Sequence, residues 1–295
     1  MLTIFRYALR RSAGTILVWG LSLFLIAWPV VLAYDVVQKE QEKIKEVAKN
    51  FQFFFAAMGG DLDRITHPSE YLTMRFFSYM PLILGIFAIL SGSGLTAVDE
   101  EKGTLDLILA HPVSRTSIFF GRFLAFSCVL VTILMISWAG LVVWMSRTQL
   151  RDQITPGQMV LPYLSLLAEL LFFGTLAMLL SLVMPSRRQA ATAGGVFLVG
   201  SFFVTMFARL DTGLEPLARF SPLTYYQSGQ AVLGLNTTWL GGLLLAAACF
   251  AFLAWYCFER RDIRVAGEGV WSLPSWSLRK PTLDQSTRKD KEIRA

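Results

Sequence analysis

Few side chains in this sequence are suited to acid–base, nucleophilic or metal chemistry, and their spacing keeps them apart. The two histidines, His67 and His111, fall in segments that the hydropathy pattern puts on opposite sides of an apolar bundle, so they cannot form one catalytic or metal-binding pair. Cys128, Cys249 and Cys257 each sit inside an apolar run without pairing or metal spacing. They are expected to be inert buried thiols, neither a disulfide framework nor a zinc site. A phosphate-binding loop of the GxxxxGK[ST] type is absent from the sequence. Gly92-Ser93-Gly94 lies within an apolar run instead of joining a strand to a helix. One carboxylate stands out: Glu169 is preceded by Leu164 to Ala168 and followed by Leu170 to Phe173. A carboxylate set in hydrocarbon costs a few kcal/mol, so Glu169 must face protein or water. Either it belongs to a polar cavity or proton site, or it pairs with a hydroxyl, a backbone group or an arginine of a neighbouring helix.

The other conspicuous stretch is Glu100 to Arg115, EEKGTLDLILAHPVSR, a charged, turn-punctuated segment between two long apolar runs. Asp99, Glu100 and Glu101 place acids on the first turn of a short helix, where exposed amides and the dipole favour them. Leu105, Ile108 and Leu109 share one face of it, and Pro112 ends it. A short helix with an apolar face at the water boundary either lies against the bilayer or docks in a groove of another protein.

The elements that position these residues follow from composition. The chain of 295 residues is 54% hydrophobic and 16% charged, against roughly a quarter charged in soluble domains. The expected class is therefore an all-α integral membrane protein. Six runs are long enough to span a bilayer, at 14–34, 76–98, 118–145, 159–184, 190–208 and 239–258. The formal charge of +6 is a topology signal and gives no sign of nucleic acid as a partner. Arg6, Arg10 and Arg11 precede the first run, Arg115 and Arg122 flank the third, Arg187 and Arg188 separate the fourth and fifth, and Arg260, Arg261 and Arg264 follow the sixth. That distribution predicts both termini in the cytoplasm. Val31-Leu32-Ala33 has the small residues of a cleavage site, but the first run is longer than a signal-peptide core and is expected to remain as a span.

Residues 2–12 alternate Leu2, Phe5 and Leu9 with Arg6 and Arg10, which fits a cytoplasmic interfacial helix or a basic leader that fixes orientation. After the first span, Val37, Ile44, Ala48, Phe51, Phe55 and Met58 recur at helical spacing and predict an amphipathic external helix within the loop 35–75. The second external loop, 209–238, predicts two short helices or a re-entrant dip from Asp211, Gly213, Pro216, Ser221-Pro222 and Asn236. Tyr34, Trp144, Trp239 and Tyr256 stand near span ends, as expected for rings at the headgroup level. Ala190, Ala191, Gly194 and Gly195 give the fifth span small residues at a spacing that lets helix backbones approach. Residues 259–295 read as a basic cytoplasmic tail with interfacial tryptophans and a disordered end.

The run of acid, Gly103-Thr104-Leu105, Leu107 to Leu109 and Pro112-Val113-Ser114-Arg115 before an apolar span resembles the first cytoplasmic loop of ABC-2 type transporter permeases. The resemblance covers residues 1–258, taking in the basic N-terminal helix, the large first external loop and Ser221-Pro222-Leu223 before the last span. It implies a permease subunit of an ABC transporter in the bacterial cytoplasmic membrane. In that family likeness the loop 99–116 is a coupling helix docked on a separate ATP-binding subunit, with Glu100, Glu101, Gly103, Thr104, Leu105, Ile108, Leu109, Pro112 and Arg115 as its contact residues. It also implies a second permease chain, like or unlike, around the route, and export as the direction. ATP and Mg would then belong to the partner subunit, with no cofactor, metal or catalytic residue on this chain. Two other functions remain open on the residues: an ion-coupled secondary transporter that uses Glu169, and a non-transporting membrane protein for resistance or anchoring.

Overall fold

A computed structural model describes residues 1–57, 64, 66–101 and 114–260, all helix, turn or irregular chain with no strand among them. The tail from 261 onward lies outside the described residues. Ten-residue α1 (Leu2–Arg11) is followed at once by α2 (Ala13–Lys39), α3 (Gln41–Lys49) and α4 (Gln52–Ala57). Next come α5 (Pro68–Leu72), α6 (Met80–Glu101), α7 (Arg115–Met145), α8 (Leu150–Gln153) and α9 (Val160–Val183). The last three are α10 (Arg187–Ala208), α11 (Glu215–Ala218) and α12 (Thr237–Arg260). By length and apolarity α2, α7, α9, α10 and α12 are five candidate spans, and a bent pair, Pro68–Phe77 with Met80–Leu95, makes a sixth.

That pair replaces the single uninterrupted second span expected from the sequence. Pro81 lacks an N–H and crowds the carbonyl four residues back, so the helix cannot pass through it unbroken. The chain responds with a π-helical turn, Thr73–Phe77, in which Ser78 N donates to Thr73 O, and bends by 40° before α6. The Phe77 carbonyl, the one Pro81 leaves without its usual partner, accepts instead from the Tyr226 hydroxyl at 3.1 Å.

Helix α9 is the centre of the bundle. In its most apolar window 67% is buried, against 17% for α12 and 22% for α2, so those two present most of their surface outward from the bundle. It packs on α6, α7, α10 and α12. At the α6 crossing a Cβ on Gly92 would stand 2.2 Å from the Gly174 carbonyl oxygen, a backbone approach that requires glycine at 92. α2 packs on α7, with Trp144 Nε1 donating to Phe24 O at 3.2 Å.

Three expectations are corrected. The external amphipathic stretch is not one helix: the chain breaks at Glu40 and again at Asn50–Phe51. The apolar phase does not survive those breaks, so Val37 is buried and Ile44 packs on the core while Phe51 is 58% exposed. Met58 and the side chains of Ala48 and Phe55 lie outside the described residues. Tyr34 does not present its ring at the surface: it is fully buried, its hydroxyl accepting from Gln38 Nε2 at 2.6 Å and donating to Gln153 Oε1 at 3.0 Å. The cysteines are not buried: Cys249 is exposed and the other two half-buried, since an apolar run in a membrane bundle also covers its lipid face. The loop 209–238 combines both expected forms. It makes short helical turns and dips into the bundle, burying Tyr226, Gln227 and Ser228.

Candidate functional site

One end of the bundle gathers the elements around the charged segment. α6 ends at Glu101 and α7 begins at Arg115, so both helices open onto residues 102–113, which lie outside the described residues. Gly103, Thr104, Leu105, Ile108, Leu109 and Pro112 all fall there, and His111 with them. Glu100 and Glu101 form the last turn of α6, and Arg115 the first residue of α7. Ser114 caps α7, its Oγ accepting from Ser117 N at 3.2 Å, which satisfies one of the free amides of the first turn.

Arginine side chains tie this end together. Arg122 of α7 donates through Nη1 to the Leu95 carbonyl of α6 at 2.8 Å, and Arg187 of α10 donates to Leu90 O at 3.3 Å. The Arg187 guanidinium lies across Gly94, where an added Cβ would meet Nη2 at 3.3 Å. So the Gly-Ser-Gly cluster serves packing twice: Gly92 admits α9 and Gly94 admits an arginine. From the other side, Thr116 Oγ1 donates to Glu259 Oε1 at 3.0 Å, joining the start of α7 to the end of α12. Phe119 with Phe258, and Phe120 with Trp255, reinforce that seam at centroid distances of 6.0 and 6.1 Å. α1 lies over α7 with Ile4 above Gly121, and none of its residues is buried. The arginines that marked topology in the sequence are thus also the fasteners of α6, α7 and α10.

Glu169 sits on α9, fully buried, and neither carboxylate oxygen has a hydrogen-bond partner among the described residues. None of the pairings expected from the sequence, with a hydroxyl, a backbone group or an arginine, is made there. Ser165, one turn earlier on α9, accepts from Gln227 N at 3.0 Å, and the Glu169 carboxyl is within electrostatic range of the Tyr226 hydroxyl. The stripe Ser165–Glu169 therefore faces the dipping segment. Tyr163, also on α9, shares a 2.9 Å hydrogen bond with Ser137 of α7.

The small residues of α10 divide by face. Ala190 and Gly194 are buried; a Cβ on Gly194 would meet Ile89 of α6 at 3.2 Å and Ala177 of α9 at 3.8 Å. Ala191 is half-buried against the α9–α12 cluster, and Gly195 has no atom within 4 Å of a would-be Cβ. Several residues escaped the sequence-based expectations. Glu70 of α5 is 4% exposed and accepts from Gln230 Nε2; it stood outside the runs counted as spans. Tyr226 and Gln227 gave no signal beyond their place four to five residues after Pro222.

Comparison with known proteins fits this architecture. The uncharacterized membrane protein YdbK of Bacillus subtilis (strain 168) is 24% identical over 238 residues, covering 73% of this chain and 93% of its own length. The uncharacterized protein YhcI of the same strain is 26% identical over 204 residues, 62% of this chain and 65% of its own length. The sequence pattern of the ABC-2 family transporter proteins matches residues 3–263. The chain is a multi-pass integral membrane protein, and it belongs to the ABC-2 transporter family.

Proposed function

We propose that this chain is the permease subunit of an ABC transporter and that residues 99–116 couple it to a separate ATP-binding subunit. The observation that carries this is the gathering of four helix ends, the end of α6, the start of α7, the start of α10 and the end of α12, together with the whole of α1, on the face where the chain leaves α6 for residues 102–113. A push on 102–113 acts directly on the ends of α6 and α7. The Arg122–Leu95 and Arg187–Leu90 bonds then share that displacement with α10, and Thr116–Glu259 shares it with α12. In this scheme ATP and Mg are held by the partner subunit, which performs the hydrolysis. A second permease chain, like or unlike, completes the route, and export is the direction the family likeness implies. The arginine-rich face is the cytoplasmic one, with both termini on it, in a bacterial cytoplasmic membrane.

The test is purification of the tagged full chain from its native membrane, with mass spectrometry of bound proteins and an ATPase assay. A co-purifying ATP-binding subunit, lost when Leu105 and Leu109 become Glu in a chain that still inserts, is the expected result. A folded chain that brings down neither such a subunit nor ATPase activity refutes the proposal.

A second function, ion-coupled transport through Glu169, is favoured by that carboxyl being buried without partners. It predicts that Glu169→Gln abolishes transport while Leu109→Glu leaves it intact; the ABC permease predicts the reverse order.

A further inference from the structure

At the end of the bundle opposite the arginine fasteners, a cleft opens between the start of α6, the end of α10 and the dipping segment. Two of its side chains are chemically unfinished. Arg209, the residue after α10, makes no hydrogen bond or ion pair among the described residues; a cation at a helix C-terminus suits the dipole, which explains its presence but leaves its guanidinium unmatched. Ser228 is 8% exposed, and its hydroxyl has no partner within normal hydrogen-bond geometry. The Tyr226 hydroxyl beside it donates instead to the Phe77 carbonyl.

The backbone at Ser228 is also unusual. With φ of 47° it is the one non-glycine residue with positive φ among the described residues. Glycine is the ordinary occupant of that conformation, so serine there is strained, and such strain collects where a side chain is needed in a particular place. Its neighbour Gly229 is pressed against α5 and the π-helical turn, where a Cβ would stand 2.7 Å from Thr73 N and 2.8 Å from Ser69 O. The pair thus holds the Ser228 backbone in place where the residue lines the cleft. Around it the lining is mixed: Thr205 is polar but already bonded to Ser221 at 2.8 Å, while Phe202 and Leu223 are apolar. The cavity is about 40 Å³, space for roughly three waters, which admits a single small charged group and leaves any larger body at the open mouth.

We propose that this cleft binds a phosphate- or carboxylate-sized anionic group carried on an apolar body, held by the Arg209 guanidinium and the Ser228 hydroxyl. Two sources offer that chemistry, an anionic phospholipid of the surrounding leaflet and a diffusible amphiphilic anion. The site goes beyond the coupling role and does not depend on the ATP-binding partner.

The test uses the full chain in phosphatidylcholine nanodiscs, titrated calorimetrically with hexyl phosphate, with hexanol and empty discs as blanks. Saturable binding of hexyl phosphate but not hexanol is expected, weakened about tenfold or more by Arg209→Gln, as removal of a charge-assisted bond predicts. Ser228→Gly, which the local backbone accommodates, is expected to weaken binding while leaving thermal stability equal or higher, a combination that a merely structural serine would not give. A lipid occupant is shown if admixed phosphatidylglycerol competes with hexyl phosphate in the wild type; a diffusible anion is shown if affinity is unaffected by that lipid. Absence of saturable hexyl phosphate binding, or binding unchanged by either substitution, overturns the proposal.

Discussion

Alanine at Gly92 tests the contact on which the bundle is built. Its Cβ would lie 2.2 Å from the Gly174 carbonyl oxygen and 2.9 Å from the carbonyl carbon. Even close C–H···O contacts keep roughly 3.3–3.6 Å, so the two helices must separate by about 1 Å, and the obstructing atoms are backbone that no rotamer change can move. α9 has no room to retreat, because at Gly174 a Cβ would already be 2.3 Å from Phe126 Cζ on α7. Overpacking of this kind costs ~1–3 kcal/mol. Gly195 on α10 is the matched control, with no atom within 4 Å; alanine there changes only helix propensity, a gain of up to ~1 kcal/mol. Both positions are helical and gain that propensity term alike, so the two variants should differ by the overpacking cost, ~1–3 kcal/mol, with Gly92→Ala the weaker. Thermal unfolding of each full chain in one detergent, followed by loss of the monodisperse gel-filtration peak, measures that ranking. Equal midpoints, or greater damage from Gly195→Ala, would refute the close crossing of α6 and α9.

Two further substitutions probe how the broken span is held. Tyr226→Phe keeps the ring but leaves the Phe77 carbonyl, already deprived by Pro81, without its 3.1 Å donor; a loss of ~1–3 kcal/mol is expected in the same unfolding assay, and an unchanged midpoint would show that water or another group serves that carbonyl. Ser165→Ala removes the acceptor of Gln227 N and should loosen the dipping segment, read as faster hydrogen exchange at 226–228 with the rest of the chain unaffected. At the other end of the bundle, Ser186 caps α10 by accepting from Gln189 N at 3.3 Å. Ser186→Ala should cost ~1 kcal/mol, and because Arg187 follows the cap, it should also reduce this chain's stimulation of the partner subunit's ATPase activity if α10 shares the motion of α6.

What could be seen in the sequence was whatever depends on local composition. Long apolar runs and the placement of arginines identify a helical membrane bundle and the end at which its charged segment emerges, because both follow from transfer free energies summed over neighbouring residues. The bend before α6 was equally local in origin, since Pro81 lacks the N–H a continuous helix needs, yet a run counted for apolarity does not register where its hydrogen bonds fail. The partner that repairs that failure, Tyr226, lies 149 residues away, and pairings of that range are set by how helices pack and leave no periodic trace. The same applies to the glycines. Small residues spaced for close approach drew attention to α10, where Gly195 faces open space, whereas the tightest approach brings Gly92 against the Gly174 carbonyl, on helices where no such repeat had been singled out. In a lipid-facing bundle apolarity is nearly uniform around each helix, so it says that a segment spans and is silent about which side faces protein. What distinguishes the inner side is polar: the Ser165–Glu169 stripe on α9 and the segment 226–228 laid against it. Since that segment also caps the broken span, any movement of α6 driven from the Glu101 end must be met at its Met80 end by Tyr226. Coupling between the arginine-fastened face and the opposite cleft would then run along α6 itself, and Tyr226→Phe should weaken the dependence of ligand binding at Arg209 on events at residues 102–113.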